Sequence, residues 1–336
     1  MPVKASPSAA IVQSGGFYAW LDGSWQDIHL PHYNLGYLLQ PTGGGASPAF
    51  SVDPEANGWG ISGGFGWSLP TNLGTDDRFE IGGSFVHATD TRTGFSASGA
   101  GGIGLALLDG TLNTNVGCSA VICAGSGTLS TDYQSWQISG RFATDYKAGA
   151  VILTPSLAVF GGHSHSNQTV SEQGADDPTG TSLNVYSAQT ALGWTDVGAR
   201  AGLMATIPVT QSVSFGLGGT LGGASRDVSL RGNDLSALIA NGAILFPTAS
   251  AIDLNASTAA FLANAEGSVT WTPAANWALR IFGGANFDNA VPGIAAPVIT
   301  SGIFNGRGPT PTAAPASIKF ESETSFYAGG RIGVKF

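Results

Sequence analysis

The sequence predicts an all-β fold, a transmembrane antiparallel up-and-down β-barrel of ten strands, and three observations lead there. The first is the closing stretch from Ile318 to Phe336. Its even positions carry Ile318, Phe320, Phe326, Ile332, Val334 and Phe336, while its odd positions carry Lys319, Glu321, Glu323, Arg331 and Lys335. Period two with one apolar and one charged side marks a strand with a greasy and a wet face, and a helix would mix the two sets. The second is composition: 336 residues include 50 glycines and only 10% charged side chains, which fits neither a disordered chain nor an ordinary charged surface. The third is that no stretch approaches the roughly 20 apolar residues of a membrane helix. A chain that crosses lipid with strands must close on itself to satisfy its backbone groups.

Residues 1–16 lack the apolar core of a signal peptide, so they are expected to form a periplasmic tail, the export signal having been removed or not being part of this sequence. Residues 17–336 then form a single barrel domain. Phe17 to Leu30 alternates, with Phe17, Ala19, Leu21 and Trp25 on one side and Trp20, Asp22, Ser24 and Gln26 on the other. Pro31 to Gly58 is punctuated by Gly and Pro and is expected to be an extracellular loop. Trp59 to Leu69 aims Trp59, Ile61, Phe65 and Trp67 at lipid, and a turn from Pro70 to Asp77 leads into Arg78 to Thr89, with Arg78 and Glu80 inward.

After a long segment from Asp90 to Asp132, Tyr133 to Tyr146 descends with Trp136, Ile138 and Phe142 outward and Arg141 inward. Ala150 to His163 rises, Ser164 to Val185 forms a loop, and Trp194 to Ile207 descends with Asp196 and Arg200 inward. Val213 to Ser225 alternates most plainly, with Phe215, Leu217 and Leu221 against Ser214, Gly216, Gly218 and Thr220. Arg226 to Thr258 is assigned to a loop, although its section from Leu235 to Phe246 is too apolar to dangle in water. Phe261 to Thr272, Trp277 to Asp288 and the terminal strand complete ten. Short turns and long loops alternate strictly, which puts both termini on one side, as bacterial barrels require. Weak alternation from Phe95 to Leu107 would raise the count to twelve if it formed another hairpin. Trp59, Trp67, Tyr146, Trp271 and Trp277 fall near strand ends as interfacial girdle residues.

The terminal alternation ending on Phe336 resembles the closing strand of Gram-negative outer-membrane β-barrels, and the opening MPVKAS resembles the mature start of alphaproteobacterial barrels of the porin and surface-immunogen type. This resemblance covers the tail and the last strand. It implies location in the bacterial outer membrane, contact with its lipid, and recognition of Phe336 by the barrel-assembly machinery. In that oxidising setting the spacing of Cys118 and Cys123 suggests a small disulfide that staples a loop. No further cysteine pair or histidine stands near it to complete a metal set, and neither metal nor cofactor is expected. Asp176 and Asp177 lack the ligand spacing of a calcium loop. The net charge of −9 argues against nucleic acid as a partner.

Parity places Asp22, Arg78, Glu80, Arg141, Asp145, Asp196, Arg200, Glu266, Arg280, Asp288, Lys319, Glu321, Glu323, Arg331 and Lys335 inside. Counting depth from the periplasmic ends pairs Asp22 with Arg331, Glu80 with Arg141 and Glu266 with Arg280. These charges either neutralise a filled interior or line a narrow aqueous path. Asp22, Glu80, Arg141, Arg200, Glu266, Arg280, Lys319, Glu321, Glu323 and Arg331 are the candidate pore-lining residues. The leading functional expectation is a passive, porin-like channel for small hydrophilic solutes. The alternatives are a non-conducting structural or surface-recognition barrel, with loops that contact partners or further copies of the chain, and a hydrolase at the outer rim. His163-Ser164-His165-Ser166 is the leading catalytic lure, since outer-membrane proteases of the omptin class and some lipid A hydrolases, which a ten-stranded barrel resembles, keep catalytic residues at the outer rim. Its parity sets His163 and His165 outward and Ser164 inward, so no enzyme is expected.

Overall fold

The computed structural model describes residues 16–39, 46–69, 73–74, 76–99, 103–113, 123–175, 182–274, 276–301 and 312–336. Ten long strands form the wall: β1 (Phe17–His29), β2 (Glu55–Ser68), β3 (Asp77–Gly99), β4 (Cys123–Thr144), β5 (Val151–Ala175), β6 (Ser182–Pro208), β7 (Val213–Ala240), β8 (Ala243–Ala274), β9 (Trp277–Ala295) and β10 (Ser317–Lys335). Each pairs antiparallel with its chain neighbours, β10 pairs with β1, and β5 pairs with β6, so the ring is closed. Closure leaves no sheet edge to be satisfied by lipid.

One hydrogen-bonded row gives the geometry. From Tyr18 it runs through Gly66, Glu80, Arg141, Ala158, Arg200, Gly222, Leu262, Asp288 and Glu323. Extending the β1–β10 register by three residues returns the row to β1 at Leu30, twelve residues above its start. A ten-stranded barrel with that stagger has strands tilted by about 40°, in the range that closed barrels adopt. Arg200 and Asp288 therefore sit higher than Glu80 and Arg141, although all four share a row.

On the outside, exposed apolar side chains form a band. Phe17 and Trp25 mark its two borders on β1, and Phe215, Leu217 and Leu221 fill it on β7. Eight steps of about 3.3 Å, tilted by about 40°, span about 20 Å, close to the apolar height of a membrane barrel. Trp59, Trp136, Trp271 and Tyr146 are exposed near the borders, with Trp271 against Trp277 at 6.2 Å, as expected for a girdle.

The strands do not stop at the upper border, and here the expected loop boundaries are corrected. Three of the five segments read as long extracellular loops, 90–132, 164–185 and 226–258, are in large part continuations of strands. β3 runs to Gly99, β5 to Ala175, β6 begins at Ser182, and β7 and β8 turn only at Asn241 and Gly242. Both turn residues have positive φ (52° and 78°), the two-residue geometry that suits a twisted hairpin. Leu235 to Phe246 is the tip of that hairpin, with Ser236 and Ala237 buried and Ile244 and Phe246 exposed. Phe95 belongs to β3 rather than to an extra membrane hairpin. The strand 103–106 instead joins the hairpin of 33–39 and 46–52 in a small sheet. Cys118, Asp176, Asp177 and most of the N-terminal tail lie outside the described residues, as does the side chain of Cys123.

Above the lipid band the polarity of the wall inverts. Outward positions become Ser225, Asp227, Ser229 and Arg231, while inward ones become Val228 and Leu230 on β7 and Leu192 and Trp194 on β6. The outer section is built like a soluble barrel with an apolar core. Tyr33, Val52, Leu129, Val170, Tyr186 and Ile294 complete that core.

Candidate functional site

The lumen is arranged in storeys. The lowest is ionic, and the three cross-strand pairs expected from depth counting are formed. Arg331 forks onto Asp22, with Nε donating to Oδ1 at 2.6 Å and Nη2 to Oδ2 at 2.7 Å. Arg141 Nη1 donates to Glu80 Oε2 at 3.2 Å, and Arg280 is bonded to Glu266. Neighbours satisfy the remaining oxygens: Ser62 and Tyr18 donate to Asp22 and Glu80 at 2.8 and 2.6 Å, and Tyr327 donates to Glu266 at 3.1 Å. Arg78 adds Asp145 at 3.1 Å. Such pairing is what permits charge in a narrow lumen. The arginines Arg78, Arg141, Arg280 and Arg331 line a cavity of about 120 Å³ at the periplasmic end, room for several water molecules.

Arg200 differs from these four. It makes no ion pair among the described residues, stacks over Phe160 at 4.3 Å, and leaves its buried Nε without a hydrogen-bond partner. Gly222 faces it, and a Cβ there would collide with the Ala199 carbonyl oxygen and stand 2.6 Å from Arg200 Cγ, so a side chain at position 222 would crowd the base of the Arg200 side chain and the backbone beside it.

The next storey was not visible as a unit in the sequence. Arg226, its side chain 2% exposed, binds two carboxylates at once. Nε and Nη2 donate to Asp196 at 2.7 and 2.8 Å, Nη2 and Nη1 donate to Asp288 at 2.7 and 3.2 Å, and Nη1 also reaches the Ala290 carbonyl at 2.7 Å. It ties β6 to β9 across the inner face of β8. Parity aims Asp196 and Asp288 inward, but their cation lies in the segment from Arg226 to Thr258, which lipid-facing alternation assigns to a loop. Carrying the β7 parity one residue past Ser225 would have found it.

The apolar core closes the outer section above this clamp. Leu107 and Leu108 are fully buried at its top, and the segment is latched by Asp234, which accepts from Leu108 N (2.7 Å), Tyr186 Oη (2.9 Å) and Ser250 Oγ (2.5 Å). Of the expected mouth residues, Lys319 donates to Glu321 Oε1 at 2.7 Å and to the His32 carbonyl, and Glu321 Oε2 accepts from His32 N at 3.1 Å. They fasten the first extracellular segment to β10. Glu323 is inward beside Asp288. His163 and His165 point outward with rings 6.2 Å apart, while Ser164 points inward to Ser135 at 2.8 Å.

Glu172 is the anomaly of the core. It is 6% exposed, its Oε1 has no hydrogen-bond partner, and burial pushes its pKa up to about 8. Its folded value therefore exceeds its unfolded value of about 4.5. The native state retains the proton that the unfolded chain has lost, so stability is full below about pH 4.5 and falls as pH rises toward 8. Glu172→Gln is expected to remove this slope. Urea midpoints at pH 5 and pH 8 should differ for the parent and coincide more closely for the variant.

No model of a known protein family matches the chain, and no curated protein matches it. Among solved structures, the outer membrane protease OmpT of Escherichia coli is similar in form at 11% identity and a TM-score of 0.44, covering 97% of this chain and 99% of its own. A FadL homologue of Pseudomonas aeruginosa has 9% identity and a TM-score of 0.23 over 98% and 92% of the two chains. The toluene transporter TbuX of Ralstonia pickettii has 8% identity and a TM-score of 0.21 over 98% and 92%. All three are outer-membrane β-barrels. At TM-scores below 0.5 none of them bears on activity.

Proposed function

We propose that this chain is a bacterial outer-membrane barrel that keeps its lumen closed at rest and presents its long outer section at the cell surface as a non-conducting structural or recognition barrel. The observation that carries this reading is the filled outer lumen, where Trp194, Leu192, Val228, Leu230 and Val170 pack between the Arg226 clamp and the Leu107–Leu108 cap. A porin lumen is polar throughout, whereas this one turns apolar where a solute would enter. The passive channel is the second reading, favoured by the basic cavity of about 120 Å³ and by Arg200 above it. In that reading the cap must leave before solute passes. The segment His163–Ser166 lends no support to the hydrolase reading, because the His163 and His165 imidazoles and the Ser164 hydroxyl lie on opposite faces.

Planar-bilayer recordings test this. The parent protein is expected to give no current above the empty bilayer. Asp234→Ala removes the acceptor shared by Leu108, Tyr186 and Ser250 and is expected to admit intermittent openings. A steady ohmic current from the parent would overturn the closed barrel and favour the channel. Arg200→Glu should then change its anion/cation preference.

A further inference from the structure

The luminal architecture makes no use of the outward face just above the lipid band. There the parity that aims Trp25 at lipid also aims Asp27 and His29 outward, and the β1–β2 register sets Glu55 opposite His29. His29 Nε2 lies 3.6 Å from Asp27 Oδ2 and 3.8 Å from Glu55 Oε1. One ligand atom from each of the three falls within 4.8 Å of the others. These separations are too long for hydrogen bonds. They do suit donors grouped about one ion, since ligands at about 2.0–2.2 Å from a zinc-sized centre stand about 3–4 Å apart.

Two of the three donors are also held in place. Arg92 Nη2 occupies the other Glu55 oxygen at 3.3 Å, while its Nε donates to Asp90 at 2.7 Å and Asp90 accepts the Glu55 N–H at 3.3 Å. Ser325 Oγ accepts the His29 N–H at 3.2 Å, and the Phe326 ring meets the imidazole edge-on at 6.0 Å. Supporting contacts of this kind orient the ligands of real metal sites. Asp27 Oδ1, by contrast, is buried with no hydrogen-bond partner. With a neutral imidazole, the carboxylates of Asp27, Glu55 and Asp90 against the one guanidinium of Arg92 leave a local charge that a divalent ion would cancel.

We infer that Asp27, His29 and Glu55 form a binding site for a divalent transition ion of the zinc class, with the remaining position open to the outside for water. The mixed imidazole and carboxylate set selects such an ion over magnesium or calcium, which take oxygen alone. His29 and Glu55 are 36% and 46% exposed, so an ion has direct access.

The full chain, refolded in detergent micelles, would be titrated with Co²⁺ as a spectroscopic stand-in. One equivalent should develop a visible d–d band that Zn²⁺ then abolishes. His29→Ala and Asp27→Asn should each lose that band while far-UV circular dichroism remains that of the barrel. His163→Ala and His165→Ala, on the same outward face, should keep it. Absence of stoichiometric binding to the parent, or a band that survives in a folded His29→Ala variant, would overturn the assignment.

Discussion

Arg226→Met is expected to destabilise the barrel by about 3 to 5 kcal/mol, read as a lower urea midpoint for unfolding from lipid vesicles. Two physical costs add. The substitution removes five hydrogen bonds that tie β6, β7 and β9 together. It also leaves the carboxylates of Asp196 and Asp288 facing the lumen with no guanidinium between them, and an uncompensated buried charge costs more than the pair itself contributes. Adding Asp196→Asn and Asp288→Asn to Arg226→Met should therefore recover much of the loss, although it restores no ion pair. Parent-like stability of Arg226→Met alone would mean that the carboxylates are hydrated, and hence that the lumen at that level is open to water. The same experiment thus weighs the closed barrel against the channel.

The clamp also marks where the sequence ceases to be legible by a single rule. Up to Ser225 on β7 the apolar residues occupy odd positions, and strand identity, facing and the three lower ion pairs follow from parity and depth alone. From Arg226 to Arg231 the apolar residues Val228 and Leu230 occupy even positions, because the solvent outside changes from lipid to water while the strand continues. Lipid-facing alternation therefore ends at the membrane border, and the strand continuations from Arg226, Ser164 and Asp90 read as loops. The inverted run Val228, Leu230 against Asp227, Ser229, Arg231 was present throughout. Finding it required an alternation with its phase reversed. The Asp27–His29–Glu55 group was hidden for a related reason. Glu55 lies in a stretch assigned to a loop, and only the β1–β2 register brings it opposite His29.

The phase reversal makes a quantitative claim about the lipid border, which Leu217→Arg tests. Leu217 is 70% exposed on the outward face of β7, at mid-depth between Phe215 and Leu221, and an arginine there should cost about 2 to 4 kcal/mol in vesicles. Asn233→Arg, on the same face of the same strand but above the border, should cost near zero, since Arg231 already stands beside it, exposed and 3.4 Å from Asp253. Both variants carry the same cation on the same side of one strand, and the modest difference between the parent residues Leu217 and Asn233 is small beside the cost of a guanidinium in hydrocarbon. The contrast is dominated by placing a guanidinium in hydrocarbon rather than in water. Unfolding followed by tryptophan fluorescence across urea series would report both values. Equal costs would mean that lipid does not end where the outward residues turn polar, and that the outer section is not the water-exposed barrel its inverted pattern describes.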